Sequence, residues 1–438
     1  MPQDIEALYE QRRRRYTAAM RLGTPDRVPI RPFAAEFTAV HCGYTCQQVT
    51  HDYRTAFEAV IQCCRDYDWD AAVPNMVYVW TGLTHAAGLK YYAVPGLDLP
   101  ADVAFQYREP DPENAWMRRE DYDEFIAGPE EFLWNTWLPR VSRAFEEGRG
   151  SKAVATSAWA MADYFAAFGP QIERMRRETG TVSAICGMLK APLDVLADKF
   201  RGYLGLAFDL KECPEKVMAA CKALEPYLRG VAVSGLDPAR EIPIPIWMHR
   251  GCVPFISYKE FEEIYWATLR PTVEEIIGRG NQVLFYAEGN WDAHLEAFAA
   301  LPKGGIIFHI DRSNPAKVKE ALGGRFALSG GVPNALLAFG SPAEVEAKCK
   351  ELIDLLGQEG GYIMDASAIM QNDARPENVR AMTEFTRNYG VYRETRESGF
   401  ELPPAPAAAA PETDPERRIG AEMEGRAAAY IWHLVLSF

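Results

Sequence analysis

The chain has 438 residues, 48% of them hydrophobic and 25% charged, with a net charge of -14 and a pI near 5.2. That is ample for a large core, and the acidity excludes a protein whose main task is non-specific nucleic-acid binding, which needs a basic surface. Nine cysteines without framework spacing suit reduced thiols in a cytoplasm. The N-terminus lacks the apolar core of a signal peptide, and no run reaches the roughly 20 apolar residues of a membrane span.

Residues 4–22 read as a helix, with Ile5, Leu8, Tyr9, Tyr16 and Met20 at apolar positions. A strand follows at 28–33, a helix at 55–67, and a second strand with its loop at 70–80. Residues 90–130 carry several prolines and many charges, and read as a long insertion that extends to about 150. A helix is expected at 132–147 and strands at 152–159 and 182–188. Helices at 191–206 and 214–230, a buried strand at 243–249 and a long helix at 258–278 complete the middle of the chain.

From 284 onward the rhythm is strand, then capped helix. Apolar strands at 284–287, 304–310, 325–329 and 361–364 end in polar or glycine-rich turns. Asn314-Pro315 opens one helix, with Asn as N-cap and Pro at the first helical position. Ser341-Pro342-Ala343-Glu344 is a capping box for the next, and Val345, Cys349, Leu352, Ile353 and Leu356 form its apolar face. A last helix is expected at 376–389. Strands alternating with helices argue a parallel β/α architecture, in which side chains at the carboxyl ends of strands do chemistry. There are nine strand candidates where a closed eight-stranded barrel needs eight. Residues 402–415 are rich in Pro and Ala and read as a flexible linker. The end of the chain, 417–433, is expected as a helix that docks on the body or on a neighbouring subunit, so a homodimer is one expectation.

Glu288, His309 and Asp311 stand at predicted strand ends, and Tyr286 just before. An oxygen/nitrogen set of this kind can bind Zn²⁺ with an open position, or act as a base with an orienting partner. The plainer alternatives are a Glu288 that caps the next helix, a buried hydrogen-bonded His309 and an Asp311 that caps a turn. His249 and Arg250 end another strand, where Arg250 suits an anionic group. Trp80 and Trp159, near predicted strand ends, could line an apolar pocket or simply pack.

Two blocks carry a family resemblance. One runs over 15–32 and includes Gly23 and Pro25-Asp26-Arg27-Val28-Pro29; the other joins Gly360-Gly361-Tyr362-Ile363-Met364 to Arg375-Pro376-Glu377-Asn378-Val379-Arg380. Together they resemble the uroporphyrinogen decarboxylase superfamily, most nearly its corrinoid-linked methyltransferase branch. The resemblance implies a (β/α)8 TIM barrel over residues 1–398, with an N-terminal helical extension, an insertion at about 90–150, and a tail at 399–438. The superfamily's own functional residues transfer poorly. Of the decarboxylase stretch after the first strand only Arg31 is left as a partner for a substrate carboxylate, and residues 73–78 carry no acid. Where the methyltransferases hold zinc through His-x-Cys and a later Cys, this chain reads Tyr286-Ala287-Glu288 and Ser367-Ala368.

The expected function is a cobalamin-dependent methyltransferase that moves a methyl group between a separate corrinoid-binding protein and a small substrate. Glu288, His309 and Asp311 would hold zinc or act directly with Tyr286. Arg31, Trp80, Trp159, His249 and Arg250 would bind substrate. A decarboxylase or lyase acting on a non-porphyrin acid, and a non-catalytic corrinoid- or ligand-binding barrel, are the alternatives. No nucleic acid or membrane is implied.

Overall fold

The structure is a computed structural model that describes residues 4–74, 80–396, 400, 402–404 and 415–436. Its strands in chain order are β1 (Ala71–Ala72), β2 (Tyr92–Ala93), β3 (Gln106–Tyr107), β4 (Val182–Ser183), β5 (Leu189–Lys190), β6 (Ile244–Met248), β7 (Val283–Ala287), β8 (Ile306–Ile310), β9 (Ala327–Gly330) and β10 (Tyr362–Ile363). Six of them form one parallel sheet in the order β10-β9-β8-β7-β6-β5. β1 pairs with β4, also in parallel, and β2 with β3 in an antiparallel hairpin.

The regular ladder does not run round eight strands. The segment around Ile30, expected as the first strand, joins by single bonds: Ile30 bridges Met364, and the Asp70 amide donates to the Ile30 carbonyl at 3.0 Å. Pro29 and Pro32 flank it and have no N–H to give to a ladder. The β4 and β5 pieces belong to one expected strand, broken at Gly187. That residue has φ of 50°, and a Cβ there would lie 2.9 Å from the Gly235 carbonyl oxygen. The Cys186 amide still reaches the Pro243 carbonyl at 3.0 Å.

Residues 152–159 are not a strand. They lie in a 30-residue helix, Gly150–Thr179. Ala153, Ser157 and Met161 are its buried positions here, four residues apart, which is helical spacing. This leaves eight strand-like segments from the nine candidates.

The core has two shells, and the alternation along strands creates them. Leu284 and Tyr286 of β7 face an inner cluster with Phe33, Trp247, Ile307, Ala327 and Ile363, whereas Val283, Phe285 and Ala287 face the outer, helix-covered one. The N-terminal helix Ile5–Met20 closes one end of the inner shell. Its Tyr16 donates to the Ala184 carbonyl at 2.8 Å, and Arg15 and Arg27 hold the buried Asp70 at 2.5 and 2.7 Å. The caps on the later helices form as their sequences require. Asn314 caps Pro315–Leu322, and the Ser341–Glu344 box opens Pro342–Leu356, whose five expected apolar positions are all buried.

The insertion builds an aromatic outer core from Tyr91, Tyr122, Phe125, Phe132 and Trp137. It rests on 196–201, the segment after β5: Trp137 Nε1 donates to the Lys199 carbonyl at 2.7 Å and the Tyr107 hydroxyl to the Asp198 carbonyl at 2.8 Å. Most of the expected linker at 402–415 lies outside the described residues. The final helix, Pro415–Leu436, docks on the body: Trp432 stacks on Tyr227 at 4.6 Å, and the Tyr430 hydroxyl lies 2.6 Å from that of Ser157. Among the described residues no helix is long and apolar enough to cross a membrane.

Candidate active site at the carboxyl ends of the strands

Inward positions along β6 to β10 and the segments that follow them stack polar groups at two depths. The deeper group is sealed. Arg31 Nη2 donates to Asp365 Oδ2 at 3.2 Å and to Ser329 Oγ at 3.1 Å, and lies 3.4 Å from His309 Nδ1; Arg31, Asp365, Ser329 and His309 are all fully buried. His309 Nε2 faces the Ser367 carbonyl at 3.1 Å, so the proton belongs on Nε2, and Nδ1 accepts from Ser329 at 3.0 Å. Burial and the Arg31 charge push His309 well below the usual imidazole range, so it is neutral. Tyr286 stacks on it at 4.2 Å. Gly330 makes room: its φ is 83°, and a Cβ there would meet His309 Cε1 at 2.7 Å. Burial raises the Asp365 carboxyl to about 7 against the pull of Arg31.

The shallower group opens outward. Glu288 follows β7 and Asp311 follows β8, and both are half-buried. Burial raises the Glu288 carboxyl; His249 opposes the shift and Asp311 adds to it. Asp311 Oδ2 accepts from the Gly289 amide at 2.7 Å, yet burial raises its carboxyl too. Beside them, Asp198 takes three cationic side chains: Lys190 Nζ at 2.9 Å, His249 Nε2 at 2.8 Å and Arg250 Nη2 at 3.4 Å. Burial alone would lower His249, but Asp198 and Asp194 outweigh it and raise it. The Arg250 guanidinium also lies over Tyr203 and Phe255, 5.2 and 5.4 Å from their centroids. Asp194 accepts from the Arg250 amide at 2.7 Å and from the Tyr265 hydroxyl at 2.9 Å. Asp198 and Lys199 sit in a π-helical turn, Leu196–Arg201, a distortion of the kind often found at functional sites.

The residues expected from the sequence therefore divide. Arg31, His309 and Tyr286 come together in the sealed interior. Glu288, Asp311, His249 and Arg250 stand at the open end. The expected zinc set does not assemble: both His309 nitrogens are engaged, and among the described residues no three His, Cys, Asp or Glu side chains could hold a metal ion. The donors do not fit zinc. Trp80 packs against Tyr53 at 5.1 Å and Tyr164 at 4.8 Å in the outer shell, and donates to the His51 carbonyl. Trp159, expected at a pocket wall, is 75% exposed on the surface of its helix, because the segment is a helix and not a strand.

Sequence reasoning missed Lys190, Asp194, Asp198 and Asp365. Lys190 lies two residues beyond the strand expected at 182–188, at the end of β5. Asp194 and Asp198 are four residues apart on one helical face. Asp365 lies one residue beyond the strand end assigned at Met364, two positions from the inward Ile363. Residues 73–78, where the decarboxylases carry an acid, lie mostly outside the described residues.

A family model described as uroporphyrinogen decarboxylase (URO-D) matches residues 160–389. Most of the second resemblance block falls inside that match and the first, at 15–32, outside it. A solved methyltransferase from Methanosarcina mazei has a similar fold, with a TM-score of 0.56 at 15% identity, covering 86% of this chain and 98% of that one. No curated protein matches. The family match spans more than half of the sequence, and the chain belongs to the uroporphyrinogen decarboxylase (URO-D) family, whose fold is a TIM barrel.

Proposed function

We propose that the protein is a methyltransferase that moves a methyl group between a corrinoid carried by a separate protein and a small substrate. The observation that carries this reading is Glu288. Its carboxyl stands at a strand end in the open layer, is pushed toward its protonated form by burial, and makes no ion pair among the described residues. Family membership and the methyltransferase of similar fold support the same class.

Transfer of a methyl group away from an oxygen or nitrogen leaves that atom needing a proton, and transfer to it releases one. A carboxyl whose proton is held more tightly because of burial can give and take that proton in the transition state. Glu288 has this role at its carboxyl oxygen. His249, whose pKa is raised by Asp198 and Asp194 against its burial, lies close enough to tune it. Below, the rings of Phe33, Trp247 and Tyr286 pack at 4.5 to 5.5 Å and form a buried aromatic floor. The corrinoid, when its carrier docks, would supply the cobalt centre that takes or gives the methyl group. The zinc expected from the sequence has no part in this reading. A lyase using Arg31 would require a substrate to displace Asp365 from a sealed interior.

The test is methyl transfer with methylcobalamin and candidate substrates, comparing the protein with Glu288→Gln. Loss of transfer with a changed pH profile is expected. Transfer that is indifferent to the substitution would overturn the reading.

A further inference from the structure

On the outer, helical side of the first strand-like segment, the fold brings two cysteines together. Cys42 ends the short helix Phe37–Cys42, and Cys63 lies in the helix Tyr53–Tyr67. His41 pins the two helices at this point: its Nε2 lies 2.7 Å from Asp66 Oδ2 and its Nδ1 3.0 Å from the Tyr67 hydroxyl. One residue on, Cys42 Sγ donates to the Ala59 carbonyl at 3.6 Å. Ala59 stands one helical turn before Cys63 and on the same face. The two sulfurs therefore meet, and the Cys63 thiol donates to the Cys42 sulfur. Two cysteines can be bridged without moving the backbone only where their side chains already face each other, as these do.

The members of the pair differ in exposure. Cys63 is fully buried, whereas Cys42 is only partly so. The turn that follows Cys42 is open: a Cβ at Gly43 would meet nothing within 4 Å. The bond from Cys63 holds the Cys42 thiol below its ordinary value, against burial and the Asp66 charge. Burial raises the other eight cysteines, with Cys46, Cys64, Cys186 and Cys349 pushed up to about 12 and Cys252 to about 11. Two thiols packed simply as small apolar groups need neither an open member nor a lowered one. A reachable thiol with a second thiol against it is the arrangement of a reactive cysteine and its resolving partner.

We propose that Cys42 and Cys63 are a redox modification site, at which a hydroperoxide drives formation of a reversible disulfide between the two helices. The Cys42 sulfur attacks the peroxide, the O–O bond breaks, and Cys42 becomes a sulfenic acid as one water leaves. The Cys63 sulfur then attacks that of Cys42, the S–O bond breaks, and the hydroxide departs as a second water with the Cys63 proton. In sum, two thiols and one hydrogen peroxide give one disulfide and two waters. The bridge closes on the helix that begins just after Glu36, away from the carboxyls at the ends of β7 and β8.

The experiment uses the reduced full-length protein, treated under native conditions with hydrogen peroxide in stoichiometric steps. Thiol counting and mass spectrometry of unreduced peptides read the product. The first bridge is expected to join Cys42 to Cys63, to consume two of the nine thiols and to be undone by dithiothreitol. Cys42→Ser should abolish it and slow the first oxidation by about tenfold or more. Cys63→Ser should leave Cys42 as a sulfenic acid that dimedone traps, and Cys64→Ser should keep the bridge. Oxidation that begins at other cysteines overturns the site. So does a Cys42–Cys63 bridge that forms only in urea-unfolded protein, or a first oxidation that Cys42→Ser does not slow.

Discussion

The sealed and open polar layers use the same kinds of residue to opposite ends. In the sealed layer one arginine meets one carboxylate, a serine and a neutral histidine, all fully buried, and the charges match one to one. In the open layer three cations meet one carboxylate, and burial raises a second carboxyl, that of Glu288. A balanced, closed network fixes structure. On the proposed reading, chemistry lies above Tyr286 and structural organisation at and below it.

The largest effect that can break this contrast is in the sealed layer. Asp365→Ala leaves the fully buried Arg31 with no carboxylate. It should cost about 3–5 kcal/mol in urea unfolding. A loss under about 1 kcal/mol would mean that the layer is hydrated, and the distinction would fail. Glu36 sharpens the picture next. It follows the first strand-like segment, is fully buried, and among the described residues neither carboxyl oxygen has a hydrogen-bond partner. Burial raises it from 4.5 to about 7. The folded state therefore binds its proton more tightly than the unfolded chain. The stability this gives is fully present below pH 4.5 and is lost as pH rises through 7. Relative to Glu36→Gln, the wild-type chain should lose about 3 kcal/mol over that window, at about 1.36 kcal/mol per pKa unit. A pH-independent difference would show that Glu36 finds a partner in solution. Smaller again, Ser329→Ala removes one hydrogen bond to Arg31 and one to His309 and should cost about 1–2 kcal/mol. Smallest is Trp159→Ala, within about 0.5 kcal/mol by thermal unfolding, since the ring is exposed.

Much of this was legible in the chain. Glu288, His309 and Asp311 stand out because each interrupts or ends an apolar run, and the structure places all three inward at the ends of β7 and β8. What the run could not convey is depth. Two residues along a strand return a side chain to the same face one layer higher, so His309 is sealed and Asp311 is not. Reading the three as one metal set ignored that step. The caps at Asn314 and Ser341 were readable because capping is local chemistry. The helix at Gly150–Thr179 was misread over 152–159 because a short window of small and β-branched residues carries little periodicity. Lys190 and Asp198 were passed over for a different reason. Each looks ordinary in its own segment, and only the fold brings them within 2.9 Å.

The central claim is that chemistry belongs to the open layer and that Glu288 carries it. The most direct measurement is made on Glu288→Gln, reading methyl transfer and unfolding free energy on the same preparation. The account predicts that transfer falls by about 10² to 10⁴ while stability changes by less than about 1 kcal/mol. Transfer at the wild-type rate, or a loss of stability as large as that of Asp365→Ala, would contradict it.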